Sequence, residues 1–379
     1  MPITYARNYT KDFSAPPKHR KHFILFDGTW NDETGESLDG LVTNVVHMKM
    51  ILRDDRENQI VRYHRGVGND DDNGRFGNFW KGATGHGVAK IVENAYVRFI
   101  QDWESGDEIF IFGFSRGAAA ARIFATKLNR EGVPAGLQVT FAPRENKSTH
   151  VVEQMISSYS LDKSKTHPVN ITFLGVWDTV SAFGLYNNFK RFFGLKRKDL
   201  FTDHHIAANI RRAVHLLAID ETRNPFVPSL MNHKPGITHE VWFPGVHSDI
   251  GGSYAEDNIA KISLCYMLKL LREWVASNGW LTILTHPENE EKLTIDRTLI
   301  GHFHFHGHAA GEDLRPIGVQ ENGKINPAIL PKLHRSYLDF CRSHTTYSVV
   351  VRRKKKFKVR FQYMPFNVKV LENKFEIVE

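Results

Sequence analysis

Cysteine is scarce in this chain: Cys265 and Cys341 are the two among 379 residues. Two thiols cannot staple a scaffold, which argues against a disulfide framework and fits a reducing compartment. Long apolar runs are missing too. None approaches the roughly 18 residues needed to span a bilayer. The opening stretch, MPITYARNYTKDFSAPPKHRKH, lacks the apolar region of a secretory signal peptide. The expectation is a protein made in the cytoplasm without a signal peptide. Evenly spread positive charge is also absent. The net charge is +8, yet residues 352–360 (RRKKKFKVR) hold seven cations and no anion, leaving +1 elsewhere. Such a strip either meets phosphates or forms an edge strand whose lysines discourage pairing between molecules.

What is present is the composition of a globular chain, 41% hydrophobic with 28 glycines. Residues 1–20 are polar and read as an N-terminal arm. Residues 21–290 read as a catalytic core, and 291–379 as a C-terminal segment packed on it, with extended runs such as TTYSVVVR and FKVRFQYM. Within the core, short apolar runs at 22–27, 107–115, 170–178 and 239–247 predict buried strands. Helical patterns cover 87–102, 116–129, 206–219 and 259–276. Apolar strands alternating with helices predict an α/β architecture, a mostly parallel sheet with helices on both faces. Residues 65–87, rich in Gly and Asp, read as loop.

The strongest chemical signal is Gly113-Phe114-Ser115-Arg116-Gly117. G-x-S-x-G alone is common, but here it stands between a buried strand and an Ala-rich helix. That context is the nucleophile elbow, a tight turn that lifts the Ser hydroxyl out at the strand's carboxyl end. A hydroxyl needs a base to take its proton and a carboxylate to hold that base. In this fold the partners follow in the order Ser, acid, His. Asp178, ending NITFLGVWD, is the candidate acid, and His247, ending HEVWFPGVH, the candidate base. Asp220 ranks second as acid because it follows a predicted helix. Asp203 sits in a charged loop, and Asp249 more naturally orients the His247 loop. Backbone N–H groups of Arg116 and of Gly28, in FDGTW, are the candidate oxyanion donors.

Rival chemistries are weaker. Asp27-Gly28-Thr29 resembles the start of a haloacid-dehalogenase phosphatase motif, but its nucleophilic position falls on Leu25. His302, His304, His306 and His308 alternate along a potential strand without an interleaved carboxylate, so no metal is assigned, and no cofactor either. Asp70-Asp71-Asp72 reads as a solvated acidic loop. In 183–201, Phe189, Phe192 and Phe193 share a helical face beside Lys190 and Arg191. Aromatic and basic residues together suit a segment lying on an anionic phospholipid surface, though such a face also packs onto a core.

FDGTWN (26–31), TNV (43–45), GVG (66–68), GFSRGA (113–118), VWDTV (176–180), LAIDETR (217–223) and GVHSDIGGSY (245–254) follow one another in a familiar order. Through them the chain resembles the α/β-hydrolase family that includes type VI secretion phospholipase effectors, from about residue 22 to 275, with a weaker echo in YMPFNV (363–368). The resemblance implies an α/β-hydrolase fold and cleavage of glycerophospholipid acyl esters by Ser115, Asp178 and His247. It also implies a toxin-like or defence role at a membrane, with a secretion apparatus or an immunity protein as partner. Two alternatives stay open: a carboxylesterase on small soluble esters, and a phosphate- or nucleic-acid-binding module using 352–360. Nucleic acid is not the expected partner.

Overall fold

The computed structural model describes residues 3–28, 42–66, 85–145, 152–180, 206–223, 226–254, 257–279, 282–295, 303–305, 314–342, 344–351 and 355–379. In chain order its strands are β1 (Tyr5–Thr10), β2 (Lys21–Phe26), β3 (Gln59–His64), β4 (Glu108–Phe114), β5 (Val133–Glu145), β6 (Val152–His167), β7 (Ile171–Trp177) and β8 (Ala213–Ala218). There follow β9 (Thr238–Phe243), β10 (Phe303–Phe305), β11 (Gln320–Glu321), β12 (Lys324–Ile325), β13 (Lys332–His334), β14 (His344–Val351), β15 (Lys355–Gln362) and β16 (Glu376–Val378). Helices α1 (Asn44–Ile51), α2 (Gly85–Asp102) and α3 (Arg116–Glu131) belong to the first half.

Eight strands form one sheet in the order β16-β13-β9-β8-β7-β4-β2-β3, and every neighbouring pair is parallel. Parallel sheets need both faces covered, which is why the central strands are apolar at nearly every position. Alternate residues go to opposite faces. Ile24, Phe26, Ile109, Ile111, Leu174 and Val176 pack with Val92, Tyr96 and Phe99 of α2 and Phe124 and Leu128 of α3. Phe23, Leu25, Phe110, Phe112, Phe173, Val214 and Leu216 pack on the other side with Val45 and Met48 of α1. Leu264, Met267 and Leu271, from the helix Asn258–Ser277, complete that layer.

From β2 the chain moves outward to β3, then returns to the other side of β2 and continues through β4, β7, β8 and β9. The order therefore reverses between β2 and β4. Crevices for ligands open at such reversals, outside the carboxyl ends of the strands.

Two segments differ from the reading of the sequence, and the C-terminal extended runs form strands as it expects. The predicted helix 206–219 contains β8, a central strand buried at all six positions between β7 and β9. Ala and Leu favour helix in isolation, but pairing on both edges and burial on both faces outweigh a preference of under about 1 kcal/mol per residue. The polar N-terminal arm contains β1, which pairs antiparallel with β5 of the long β5–β6 hairpin. In the C-terminal segment, β13 and β16 extend the main sheet, while β10, β14 and β15 form a separate three-stranded sheet. Most of the basic strip falls on β15, and residues 352–354 lie outside the described residues.

Candidate active site

β4 ends at Phe114 and α3 begins at Arg116, which leaves Ser115 alone to reverse the chain. Its backbone sits at φ 59°, ψ −123°, a conformation that L-residues rarely adopt and that the surroundings must hold. The flanking glycines are sterically required. A Cβ on Gly113 would lie 2.6 Å from the Gly117 carbonyl oxygen, and one on Gly117 would lie 2.3 Å from the carbonyl oxygens of Phe26 and Asp27. The side chain of Ser115 is thereby presented at the carboxyl edge of the sheet, next to β7.

Asp178 follows β7 directly and is fully buried, with its backbone at φ 40°. Its backbone N–H donates to Leu216 O at 2.7 Å, and the next N–H, of Thr179, donates to His215 Nε2 at 3.0 Å. His215 Nδ1–H in turn donates to Glu240 Oε1 at 2.8 Å, so this imidazole is held in one tautomer beneath the acid.

His247 opens a short helix, His247–Gly251, four residues beyond the end of β9. Its Nε2 lies 2.8 Å from Ser115 Oγ and its Nδ1 lies 2.5 Å from Asp178 Oδ2. The rings of Phe114 and Phe226 each pack with their centroids 4.7 Å from that of the imidazole. Burial lowers the His247 pKa from its ordinary value, against the opposing pull of Asp178, so the ring is neutral at neutral pH. The structure thus brings together the three residues picked from the sequence, in the chain order the elbow requires.

Asp220 does not join them, although it follows a strand and not the helix the sequence suggested. Its Oδ2 accepts from Gly245 N at 2.6 Å and from the Tyr363 hydroxyl at 2.7 Å. Burial pushes its pKa up to about 7. Asp249 behaves as expected of a loop residue: its Oδ2 accepts from Val246 N at 2.9 Å, next to His247. Glu221 supports the loop from the other side, accepting from His247 N at 3.2 Å while its carboxylate is held by Arg223.

Of the candidate oxyanion donors, the Arg116 N–H belongs to the first turn of α3, immediately after Ser115. The Gly28 N–H donates to Asp27 Oδ1 at 2.6 Å, and the same carboxylate accepts from Thr43 Oγ1 and the Tyr63 hydroxyl. In this arrangement Gly28 is engaged by its own neighbour. Burial alone lowers the Arg116 guanidinium pKa to about 9, so the residue after the nucleophile carries a charge weakly solvated by water.

The sequence reading missed Arg315. Its Nη1 donates to Asp178 Oδ1 at 2.7 Å and its Nη2 to Asp178 Oδ2 at 2.9 Å. Arg315 also donates to Ala218 O and Phe226 O. This counter-ion, together with His247, holds the Asp178 carboxyl well below the usual carboxylate range in spite of complete burial. Arg315 stands in no motif, so nothing local marked it.

Phe189, Lys190, Arg191, Phe192 and Phe193 lie outside the described residues, as do Asp203, Asp70 to Asp72, His302, His306 and His308. His304 falls on β10. Among the described residues no cluster of His, Cys, Asp or Glu is placed to hold a metal ion.

The chain is similar to several known proteins. An uncharacterised protein of Saccharomyces cerevisiae is 30% identical over 149 residues, 35% of this chain and 20% of that protein. A crystal structure of an uncharacterized protein from Pseudomonas aeruginosa is 19% identical, covering 74% of this chain and 49% of its own, with a TM-score of 0.44. The Tle1 effector bound to the VgrG spike of a type VI secretion system is 20% identical, covering 62% of this chain and 52% of its own, with a TM-score of 0.38. This chain therefore spans a fifth of the yeast protein and about half of each solved structure. The pattern of the type VI secretion phospholipase effector Tle1-like catalytic domain matches residues 20–270, two thirds of the chain, a span that includes Ser115, Asp178 and His247. On that match the chain belongs to the Tle1-like phospholipase effector catalytic-domain family, built on an α/β-hydrolase fold.

Proposed function

We propose that this protein is a serine hydrolase that cleaves acyl esters of glycerophospholipids, with Ser115 as nucleophile, His247 as base and Asp178 as orienting acid. The observation that carries the reading is the unbroken line from Ser115 Oγ through the His247 ring to Asp178 Oδ2, at 2.8 and 2.5 Å. In this mechanism Ser115 Oγ attacks the ester carbonyl as His247 Nε2 takes its proton. Asp178 keeps the proton on Nδ1, which fixes the tautomer that leaves Nε2 free to accept. The Arg116 N–H, at the positive end of α3, stabilises the oxyanion. For Gly28 to act as the second donor, its N–H has to leave Asp27 Oδ1 for the oxyanion. His247 then returns its proton to the departing lysophospholipid oxygen, and water hydrolyses the acyl-enzyme by the same route.

Family membership supports phospholipid as the substrate class and a type VI secretion apparatus as the delivery partner. An immunity protein in the producing cell is the corresponding second partner. The site of action in this reading is a membrane surface. Among the described residues no helix is long and apolar enough to cross one.

The test is fatty-acid release from mixed phosphatidylethanolamine and phosphatidylglycerol vesicles by wild type beside Ser115→Ala. Wild type should release fatty acid, and the variant should be slower by about 10⁶-fold, the loss found when a triad nucleophile is removed. Equal release by both would mean a different nucleophile. Release from short soluble esters alone would move the substrate class to that of a carboxylesterase.

A further inference from the structure

We infer that Arg315 is a positioning residue of the hydrolytic site, a guanidinium from the C-terminal segment that clamps the catalytic acid and sets the basicity of His247. The inference rests on the assignment of Asp178 and His247 made above and extends it to a residue outside the matched family region, 20–270.

The geometry is that of a dedicated clamp. The Arg315 side chain is 3% exposed and that of Asp178 is fully buried. The two planar groups meet through parallel N–H···O bonds of 2.7 and 2.9 Å, the bidentate fork that makes arginine specific for carboxylates. Each carboxylate oxygen of Asp178 is then doubly used. Oδ1 accepts from Arg315 and from Ala218 N, and Oδ2 accepts from Arg315 and from His247 Nδ1. The same guanidinium donates to the carbonyl of Phe226, whose ring packs on His247. One side chain therefore holds both the acid at the edge of the imidazole and the backbone that carries an aromatic ring packed against it.

The backbone of Arg315 is pinned in turn. Asn367 Nδ2 donates to Arg315 O at 3.2 Å and to Ile219 O at 2.9 Å, tying the segment to the end of β8. Asp178 needs this support because its own backbone, at φ 40°, is in a region that favours glycine.

The charge has a second consequence. Around His247 stand Asp178 from the end of β7, Glu221 after β8 paired with Arg223, Asp249 within the same turn, and Arg315. Asp178 and Glu221 favour the imidazolium, whereas Arg315 opposes it. By neutralising Asp178, the guanidinium keeps the base unprotonated to lower pH. It also keeps the acid ionised in a dry site, where a lone carboxylate would take up a proton.

The experiment compares wild type with Arg315→Gln and Arg315→Lys, with active sites counted by a phosphonate label and folding checked by thermal unfolding. In Arg315→Gln, the titration of His247 followed by NMR of its ring should move up by about 0.5 pH unit or more. The acid limb of kcat should move with it on a short p-nitrophenyl ester. Arg315→Lys keeps the charge but not the fork, so its titration should stay near wild type while kcat falls about tenfold or more at nearly constant KM. A purely structural arginine would reduce the labelled fraction and leave the pH limb and the kcat of labelled sites unchanged, which overturns the inference. If Arg315→Gln does not fold, Arg315→Lys decides, and wild-type kcat per labelled site refutes the clamp. The NMR titration is read whether or not any ester is turned over. A failure of the hydrolase assignment, seen as equal activity of wild type and Ser115→Ala, is thus distinct from a failure of this inference, seen as an unmoved His247.

Discussion

Two aspartates at the ends of neighbouring parallel strands, Asp178 after β7 and Asp220 after β8, are both buried, and their surroundings push them in opposite directions. Asp178 meets a guanidinium and an imidazole N–H, which hold it ionised. Asp220 meets a backbone N–H and a phenol, neutral donors that do not offset desolvation, and its pKa rises to about 7. That rise is a statement about stability. The folded value lies above the unfolded one, near 3.8, so the contribution of Asp220 is complete below that pH and is lost as pH rises toward 7. Asp220→Asn keeps an oxygen acceptor for Gly245 N and Tyr363 but cannot ionise. Its melting temperature relative to wild type should therefore be higher at pH 8 than at pH 4. Thermal unfolding at the two pH values measures it, and a difference independent of pH would show Asp220 to be ionised in the folded protein. At this scale the sequence was informative where chemistry is local. Ser115 stood out because strand, turn and helix adjoin it. Arg315 is 137 residues from its partner Asp178, and no spacing rule joins them.

Among the elements, the strand–turn–helix unit of β4, Ser115 and α3 is set by backbone contact more than by side-chain packing. The first turn of α3 lies against the carbonyls that end β2, at the place where the sheet order reverses. Gly117→Ala tests this contact. In an exposed helix the change would stabilise by about 1 kcal/mol, because alanine is the better helix former. Here the added methyl would fall 2.3 Å from the Phe26 and Asp27 carbonyl oxygens, neither of which is a flexible side-chain end. Relieving it means moving α3 away from β2, at a cost of about 1–3 kcal/mol and with Ser115 carried along. Urea unfolding should show a lower midpoint, and ester turnover should fall together with it. A variant as stable and active as wild type would mean that α3 slides without loss. The elbow was legible because its glycines are dictated by contacts within a few residues and one neighbouring strand. β8 was not, since Ala213–Ala218 reads equally as helix until β7 and β9 are placed on either side of it. The β5–β6 hairpin escaped for a related reason: its outer strand carries Asp162, Lys163 and Lys165 at exposed positions, and these charges dilute the apolar signal.

For the whole molecule, the question is whether residues 291–379 are an appendage to a self-sufficient core. The main sheet argues that they are part of it. β13 pairs with β9 on one side and β16 on the other, and Leu333 at its centre is fully buried. Trp242, Leu217 and Ile219 of the core pack against Leu333 and Val368. Phe340 and Tyr363 likewise join the layer that holds Phe243 and the helix Asn258–Ser277. Three polar ties add to this packing: Arg315 to Asp178, Tyr363 to Asp220, and Asn367 to Ile219 O. A chain ending at residue 290 would uncover the β9 edge and leave a fully buried carboxylate without its counter-ion. Removing one partner of such a pair costs about 3–5 kcal/mol by itself, a large part of the 5–15 kcal/mol that holds a typical domain. Losing the buried side chains of Leu333, Phe340, Tyr363 and Val368 adds about 1.5–3 kcal/mol for each aliphatic or aromatic group. The truncated chain is therefore expected to aggregate or to lack a cooperative unfolding transition, and to turn over no ester. Calorimetry of the 1–290 fragment beside the full chain decides it. A single sharp transition with retained, Ser115-dependent turnover would show the catalytic unit to be complete without its C-terminal strands. It would also show that Asp178 can do without a charge opposite it, which the burial of both groups makes the least expected result.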